Sequence, residues 1–319
     1  EEVKETASVL SVHDDSIKVT EVLKEGDTLT FIIVSQKLSG TGEYHVDRTY
    51  EDFEWLQQHL FSQGDVPGIQ GVIFPPLPAK PQVNASPRSI KQLGFLALGE
   101  CQPYCKALET FLQQVAAHSI LSKNKAVEVF LTSSDPPGRQ KVKKNIFNRL
   151  SQAVEEMRKE GHKDVDEFFQ NERDHNLILT GCTKTAAEVR RSPIASRSHH
   201  KQQCTCALPH RVFVCGQKNM TSVAENNVNT LGLGLDLESR YQEAEREMLF
   251  RRTCKLVELE NAQRNVEKAK PVKKAMEEVK KAAETEFEHT SGVAKQEVKS
   301  TINNCIPHFH VSFHSGLVC

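Results

Sequence analysis

The chain predicts an α+β protein: a small three-stranded antiparallel sheet packed on helices, followed by an all-α region of long helices. Three observations carry this. Residues 8–49 show period-two alternation between turn signals, as in Ile17-Lys18-Val19-Thr20-Glu21-Val22. Residues 237–302 show apolar steps of three and four in a Glu-, Lys- and Ala-rich background. Between them, Ser133-Ser134-Asp135-Pro136-Pro137-Gly138 is a concentrated breaker.

Taken in order, Glu25-Gly26-Asp27 turns the first strand into a β-branched, apolar run from Thr28 to Val34, and Ser39-Gly40-Thr41-Gly42 turns the chain again. Tyr44-His45-Val46 resumes the alternation and leads into a helix over 50–63, with Phe53, Leu56 and Leu60 at helical spacing. A proline-rich loop follows, Phe74-Pro75-Pro76-Leu77-Pro78-Ala79-Lys80-Pro81. Tyr104 to Ala117 is helical, with Leu108, Phe111, Leu112 and Val115 on one face, and a short helix around Lys125 to Leu131 closes the unit. The expected boundaries are a first domain at 1–135, a linker at 136–138, a helical region at 139–302 and an irregular tail at 303–319.

In the helical region, Val142, Ile146, Leu150, Val154 and Met157 form an apolar stripe. Arg139, Lys141, Lys143, Lys144 and Arg149 surround its first half, with no acidic residue over 139–149. Such a helix can lie in the interface of an anionic leaflet, or turn its stripe into a bundle. Further on, Tyr241, Ala244, Met248, Leu256, Leu259, Ala262 and Val266 read as a long bundle or coiled-coil helix. Pro271 marks a kink or a turn, after which Val272, Ala275, Val279, Ala282 and Phe287 resume the stripe. Residues 193–235 lose the helical period, and 303–319 lack Asp, Glu, Lys and Arg altogether. Both read as splice variation or read-through that disturbs the helical region.

Several function classes recede. No apolar run of 18 residues is present, so no membrane span is expected. The first residues read as the edge of a fragment. A net charge of −1 favours no partner by itself, and no nucleic-acid partner is expected. The nine cysteines are odd in number and unevenly spaced, the pattern of reduced thiols. Cys101 and Cys105 share a helical face and read as buried thiols. His199, His200, Cys204, Cys206, His210 and Cys215 offer zinc-ligand types, but not the paired spacing of a zinc site. Leu231-Gly232-Leu233-Gly234 lacks the strand, third glycine and lysine of a phosphate cradle. With no catalytic constellation visible, the expectation is no enzyme, no cofactor and no metal.

The candidate binding site comes from Asp47-Arg48-Thr49-Tyr50-Glu51-Asp52-Phe53 and the proline loop. A multiply anionic headgroup needs cationic groups converging on a pocket with an aromatic face. Arg48, Tyr50 and Lys80 supply these types, although they also suit a surface arginine, a helix-start tyrosine and a solvated lysine. In this combination the region resembles the phosphoinositide-reading core of a PX domain over residues 8–135.

That resemblance implies a PX fold with Lys80 near the 1-phosphate. It also exposes departures. The family's pattern is Arg-Arg-Tyr-x-x-Phe, whose second arginine grips the 3-phosphate. Here Thr49 stands in that place, and Tyr104 falls where the family has a further arginine. Adjacent strand residues point to opposite faces, so Arg48 cannot simply replace the missing group. Losing charge-assisted bonds of about 1.5–3 kcal/mol each predicts weak headgroup binding.

The order of PX fold, basic amphipathic helix and long helices resembles a PX–BAR sorting nexin, nearest the subgroup containing sorting nexins five and six. Lys163 to Arg173, Leu249-Phe250-Arg251-Arg252-Thr253 and Glu258-Leu259-Glu260-Asn261-Ala262 carry the BAR likeness. The subgroup's long helical insertion after the proline loop is missing, because residues 82–103 are too short to hold it. The resemblance implies a cytoplasmic protein, peripheral on phosphoinositide-containing endosomal membranes. It further implies pairing with itself or other sorting nexins through BAR helices, and cargo tails as possible ligands. An adaptor recognising peptides or coiled coils without lipid contact is the alternative. The disturbed middle helix predicts impaired dimerisation and curvature sensing.

Overall fold

The computed structural model describes residues 10–25, 28–64, 66–80, 102–135, 164–191, 210–268 and 273–315. Strands β1 (Lys18–Glu25), β2 (Thr28–Gln36) and β3 (Glu43–Thr49) form one antiparallel sheet in that order. Gly40 and Gly42, both at positive φ, close the β2–β3 turn, where the Lys37 amide donates to the Gly42 carbonyl. Alternation sends Phe31, Ile33 and Ser35 of β2, and Val46 and Arg48 of β3, to the covered face.

Helices α1 (Tyr50–Phe61), α2 (Gln102–Ala117) and α3 (Lys125–Thr132) cover that face. Thr49 starts α1 with a reciprocal cap: its amide and hydroxyl both donate to the Asp52 carboxylate at 2.8 Å. Phe53, Leu56 and Leu60 are then buried on the inner face. Phe53 is central, its ring 5.1 Å from Phe130 edge-on, 6.0 Å from Phe31 and 6.2 Å from Phe111. The face expected on α2 is the buried one, from Tyr104 through Leu108, Phe111 and Leu112 to Val115.

The helical part comprises α4 (Glu167–Arg191), α5 (His210–Lys268) and α6 (Lys273–Ser315), with α5 packed on both others. Helix α5 ends at Lys268 and α6 begins at Lys273; the kink or turn expected at Pro271 lies outside the described residues. On α5 the expected stripe is buried at Ala244, Met248, Leu256, Leu259 and Ala262. Three expectations are corrected. Residues 210–235 are helical rather than irregular, because backbone hydrogen bonding outlasts the loss of side-chain period; glycines at 232 and 234 cost only about 1 kcal/mol each. Likewise α6 continues past Ile302 to Ser315, since a stretch without charge can still be helical, although Pro307 removes one backbone donor within it. Thirdly, Ala275, Val279 and Ala282 face outward, while Thr290, Ala294 and Val298 are the buried residues of α6.

The sheet unit is fastened to the long helices. Gly71, in a tight turn over Ile69–Gly71, lies so close to α6 that an added Cβ would stand 2.4 Å from the Thr290 carbonyl oxygen and 2.9 Å from the Ala294 nitrogen. Ile73 joins Phe169, Ala244, Met248, Leu249, Ala294 and Val298 in one apolar cluster spanning the loop and all three long helices. No described helix is long and apolar enough to cross a membrane.

Candidate functional site

The proline loop is held from three sides. The Tyr50 hydroxyl donates to the Pro78 carbonyl at 2.7 Å, Tyr104 to Ala79 at 2.9 Å, and the Gln57 amide to Pro75 at 3.1 Å. Phe74 to Pro78 are buried, which leaves Lys80 as the loop's exposed end. Its ammonium lies 5.8 Å from the centre of the Tyr50 ring, so the structure brings Tyr50 and Lys80 together. The same ammonium is 2.8 Å from the Glu51 carboxylate and 3.8 Å from that of Glu54. The hydrogen bond to Glu51 raises the Lys80 pKa. Burial, aided by Glu54, pushes the Tyr50 phenol up to about 12, so it stays protonated as a donor. Asp236 and Arg240 of α5 also act on Tyr50. Three carboxylates therefore face two cations around this mouth.

Arg48 is elsewhere. It points inward beside Val46 and is fully buried, its guanidinium donating to the carbonyls of Phe130 (3.1 Å), Asp47 (2.7 Å), Val129 (3.4 Å) and Ser133 (2.5 Å). It lies over the Phe130 ring at 5.3 Å, and desolvation lowers its pKa against the pull of Asp52 and Asp47. Strand alternation is the cause: the position pairs with Phe31 across the sheet and faces the core. The guanidinium closes the C-terminal end of α3, and the ligand role expected of it has no exposed atom to act through. Tyr104 is likewise buried. The expected membrane-contact residues Arg139, Lys141, Lys143, Lys144 and Arg149 lie outside the described residues.

A second constellation, which sequence reasoning missed, sits at the seam between the sheet unit and the helices. Arg251 donates to the carbonyls of Val72 (2.5 Å) and Gln70 (3.3 Å) and lies 5.0 and 5.1 Å over the rings of Phe61 and Phe74. Arg252 donates to Asp164 at 2.7 Å and to Ser291 at 3.0 Å, and stacks 3.6 Å from the Phe169 ring centre. Asp164 also receives Arg173. Desolvation draws both the Arg251 and Arg252 pKa values down to about 10, leaving them charged at neutral pH. Glu297 spans the seam, accepting from the Ile73 amide at 3.2 Å and meeting His118 at 3.1 Å. Lys295 pairs with Asp166 at 2.5 Å and lowers its pKa. The available signal was two adjacent arginines in the apolar period of α5, which have no reason to be there unless something neutralises them.

The chain thus joins a hydroxyl-braced proline loop, a three-stranded sheet and a capped helix to a helical C-terminal region. A model of the PX domain matches residues 36–134. Over most of its length the chain is similar to sorting nexin-6 of Homo sapiens, 24% identical over 88% of this chain and 81% of that protein. Sorting nexin-32 of Mus musculus is 24% identical over 93% of this chain and 87% of its own length. Sorting nexin-4 of Eremothecium gossypii is 33% identical, over 41% of this chain and 32% of that protein. The chain is thus a PX-domain relative of the sorting nexins, consistent with the PX–BAR architecture.

Proposed function

We propose that this protein is a non-enzymatic membrane-trafficking adaptor of the sorting-nexin type. It holds to endosomal, phosphoinositide-containing membranes through several weak contacts and supports cargo sorting. The observation that carries the reading is the pairing of a PX fold with long helices through an apolar, arginine-stitched seam. A rigid body of this kind lets contacts on separate elements add as avidity, so that no single pocket must be tight.

The mouth around Tyr50 and Lys80 supports weak headgroup capture. Lys80 must exchange two carboxylate neighbours for a phosphate, and Glu51, Glu54 and Asp236 repel a multiply charged ring. The bases at 139–149 are then the principal electrostatic contact with an anionic leaflet, worth about 1 kcal/mol each near the surface. Pairing with a second sorting nexin fits the outer face of α4. Leu177 and Ile178 are 74% and 63% exposed. The inner face of the same helix instead carries Asn176 and Thr183, hydrogen-bonded to Gln242.

The second reading is an adaptor that recognises protein partners without touching lipid, and the acid-surrounded lysine favours it. Vesicle flotation separates the two. Under the first reading, Lys80→Ala costs little, and neutralising the five bases at 139–149 costs most of the association. No loss with either change, or no flotation of the unaltered chain at low ionic strength, supports the second.

A further inference from the structure

Away from the Tyr50–Lys80 mouth, a groove of about 540 Å³ runs between the end of α1 and the start of α3. That is within the roughly 300–1,000 Å³ of small-ligand sites. Its floor is apolar, from Leu60, Val66, Ile69, Ile120 and Leu121. Its rim is cationic and amide-bearing, with Lys123, Lys125, Gln63 and Asn124. Both lysines are exposed, and neither meets a carboxylate among the described residues. Lys125 is the first residue of α3, whose cap Asn124 accepts the Ala126 amide at 2.8 Å, so the positive end of that helix opens at the same rim.

We propose that this groove is a docking site for a short acidic peptide with an apolar anchor. The anchor would fill the floor, and its flanking carboxylates would meet Lys123, Lys125 and the α3 N-terminus. Charge complementarity selects the sign of the partner: two ammonium groups that meet no carboxylate among the described residues, together with a helix N-terminus, favour carboxylate, while the apolar floor excludes a purely ionic ligand. A peptide fits better than a bilayer for two reasons. Leaflet recognition draws on clusters of roughly four to eight bases, and two lysines fall short of that. Gly68, between Pro67 and Ile69 of the lining, also packs against Val293 and His289 in the middle of α6, so the groove opens beside a long helix rather than on a free plane.

The test is selection of short random peptides displayed on phage against the full chain, followed by fluorescence anisotropy of the selected sequences. The double variant Lys123→Glu, Lys125→Glu is measured alongside. It places acidic residues before and at the start of α3, where they suit the helix dipole, so the fold is retained and circular dichroism checks this. The expected result is enrichment of peptides combining Asp or Glu with Leu, Ile or Phe, whose affinity falls about tenfold or more in the double variant. The proposal is overturned by enrichment without acidic residues, or by acidic peptides that bind the variant equally. It is also overturned if no peptide is enriched while phosphatidylserine vesicles bind the chain and release the variant, since the groove would then read lipid.

Discussion

Replacing Gly71 with alanine should uncouple the sheet unit from the long helices while leaving each folded. The new Cβ would lie 2.4 Å from the Thr290 carbonyl oxygen, 2.9 Å from the Ala294 nitrogen and 3.1 Å from the Val293 Cβ. Carbon–oxygen contacts settle at about 3.3–3.6 Å, so the turn must retreat by about 1 Å. Two of the three neighbours are helix backbone, which cannot rotate aside. Overpacking of this kind costs about 1–3 kcal/mol. The retreat also stretches the two Arg251 bonds to Gln70 and Val72, and such charge-assisted bonds contribute about 1.5–3 kcal/mol each. The sum, about 4–9 kcal/mol, is a large fraction of what burying seven apolar residues contributes, so the seam should part at that edge. This seven-residue cluster of loop and long helices lies outside the sheet unit's own core around Phe53, so that core should survive. Differential scanning calorimetry of the full chain would show one transition dividing into two, with the seam-dependent one several degrees lower. A single transition at an unchanged temperature would refute the reasoning, because the turn would then have room that the packing denies.

Other consequences follow from the same contacts. Glu51→Gln with Glu54→Gln should raise association with phosphoinositide vesicles several-fold by freeing Lys80, measured by flotation at fixed salt; unchanged association would show that these carboxylates do not govern the mouth. Arg48→Met should lower the melting temperature sharply, because four carbonyls lose their donor, at a cost of about 3 kcal/mol or more, yet leave vesicle affinity of the folded fraction unaltered. A large affinity loss without destabilisation would return Arg48 to the binding site. Asp166 gives an acid-side prediction. Its carboxyl is held low by Lys295, so its contribution to stability is full above the unfolded carboxylate range and is lost as pH falls through the depressed folded value. Asp166→Asn should therefore lose stability at pH 7 and converge with the unaltered chain in strong acid, as read by thermal melts across pH.

What the sequence disclosed was whatever has a local period. The strands, the capped start of α1 and the buried faces of α2 and α5 all repeat or stop within a few residues. The inward placement of Arg48 was legible in the same way, through its parity with Val46, once alternation was given precedence over motif position. Composition misled at 210–235, where helix persists without an apolar period, and at 303–315, where it persists without charge. The outward Val279 shows the limit of an apolar stripe, which marks a face but does not say that this chain covers it. The seam was out of reach for a different reason. Arg251 meets Val72 across 179 residues and Glu297 meets Ile73 across 224, and contacts at such separations leave no spacing to read. Lys80 shows a third case: its type and place were evident, but the competing Glu51 and Glu54 lie in the first and second turns of a helix whose orientation only the fold supplies.

The claim on which the account turns is that the PX fold and the long helices move as one body. Amide hydrogen exchange of the turn at Ile69–Ile73, followed by mass spectrometry in the full chain and in Arg251→Ala, tests it most directly. The account predicts protection of that turn comparable to the Phe53 core, collapsing in the variant while the core stays protected. Exchange in the unaltered chain as fast as an open loop would contradict it.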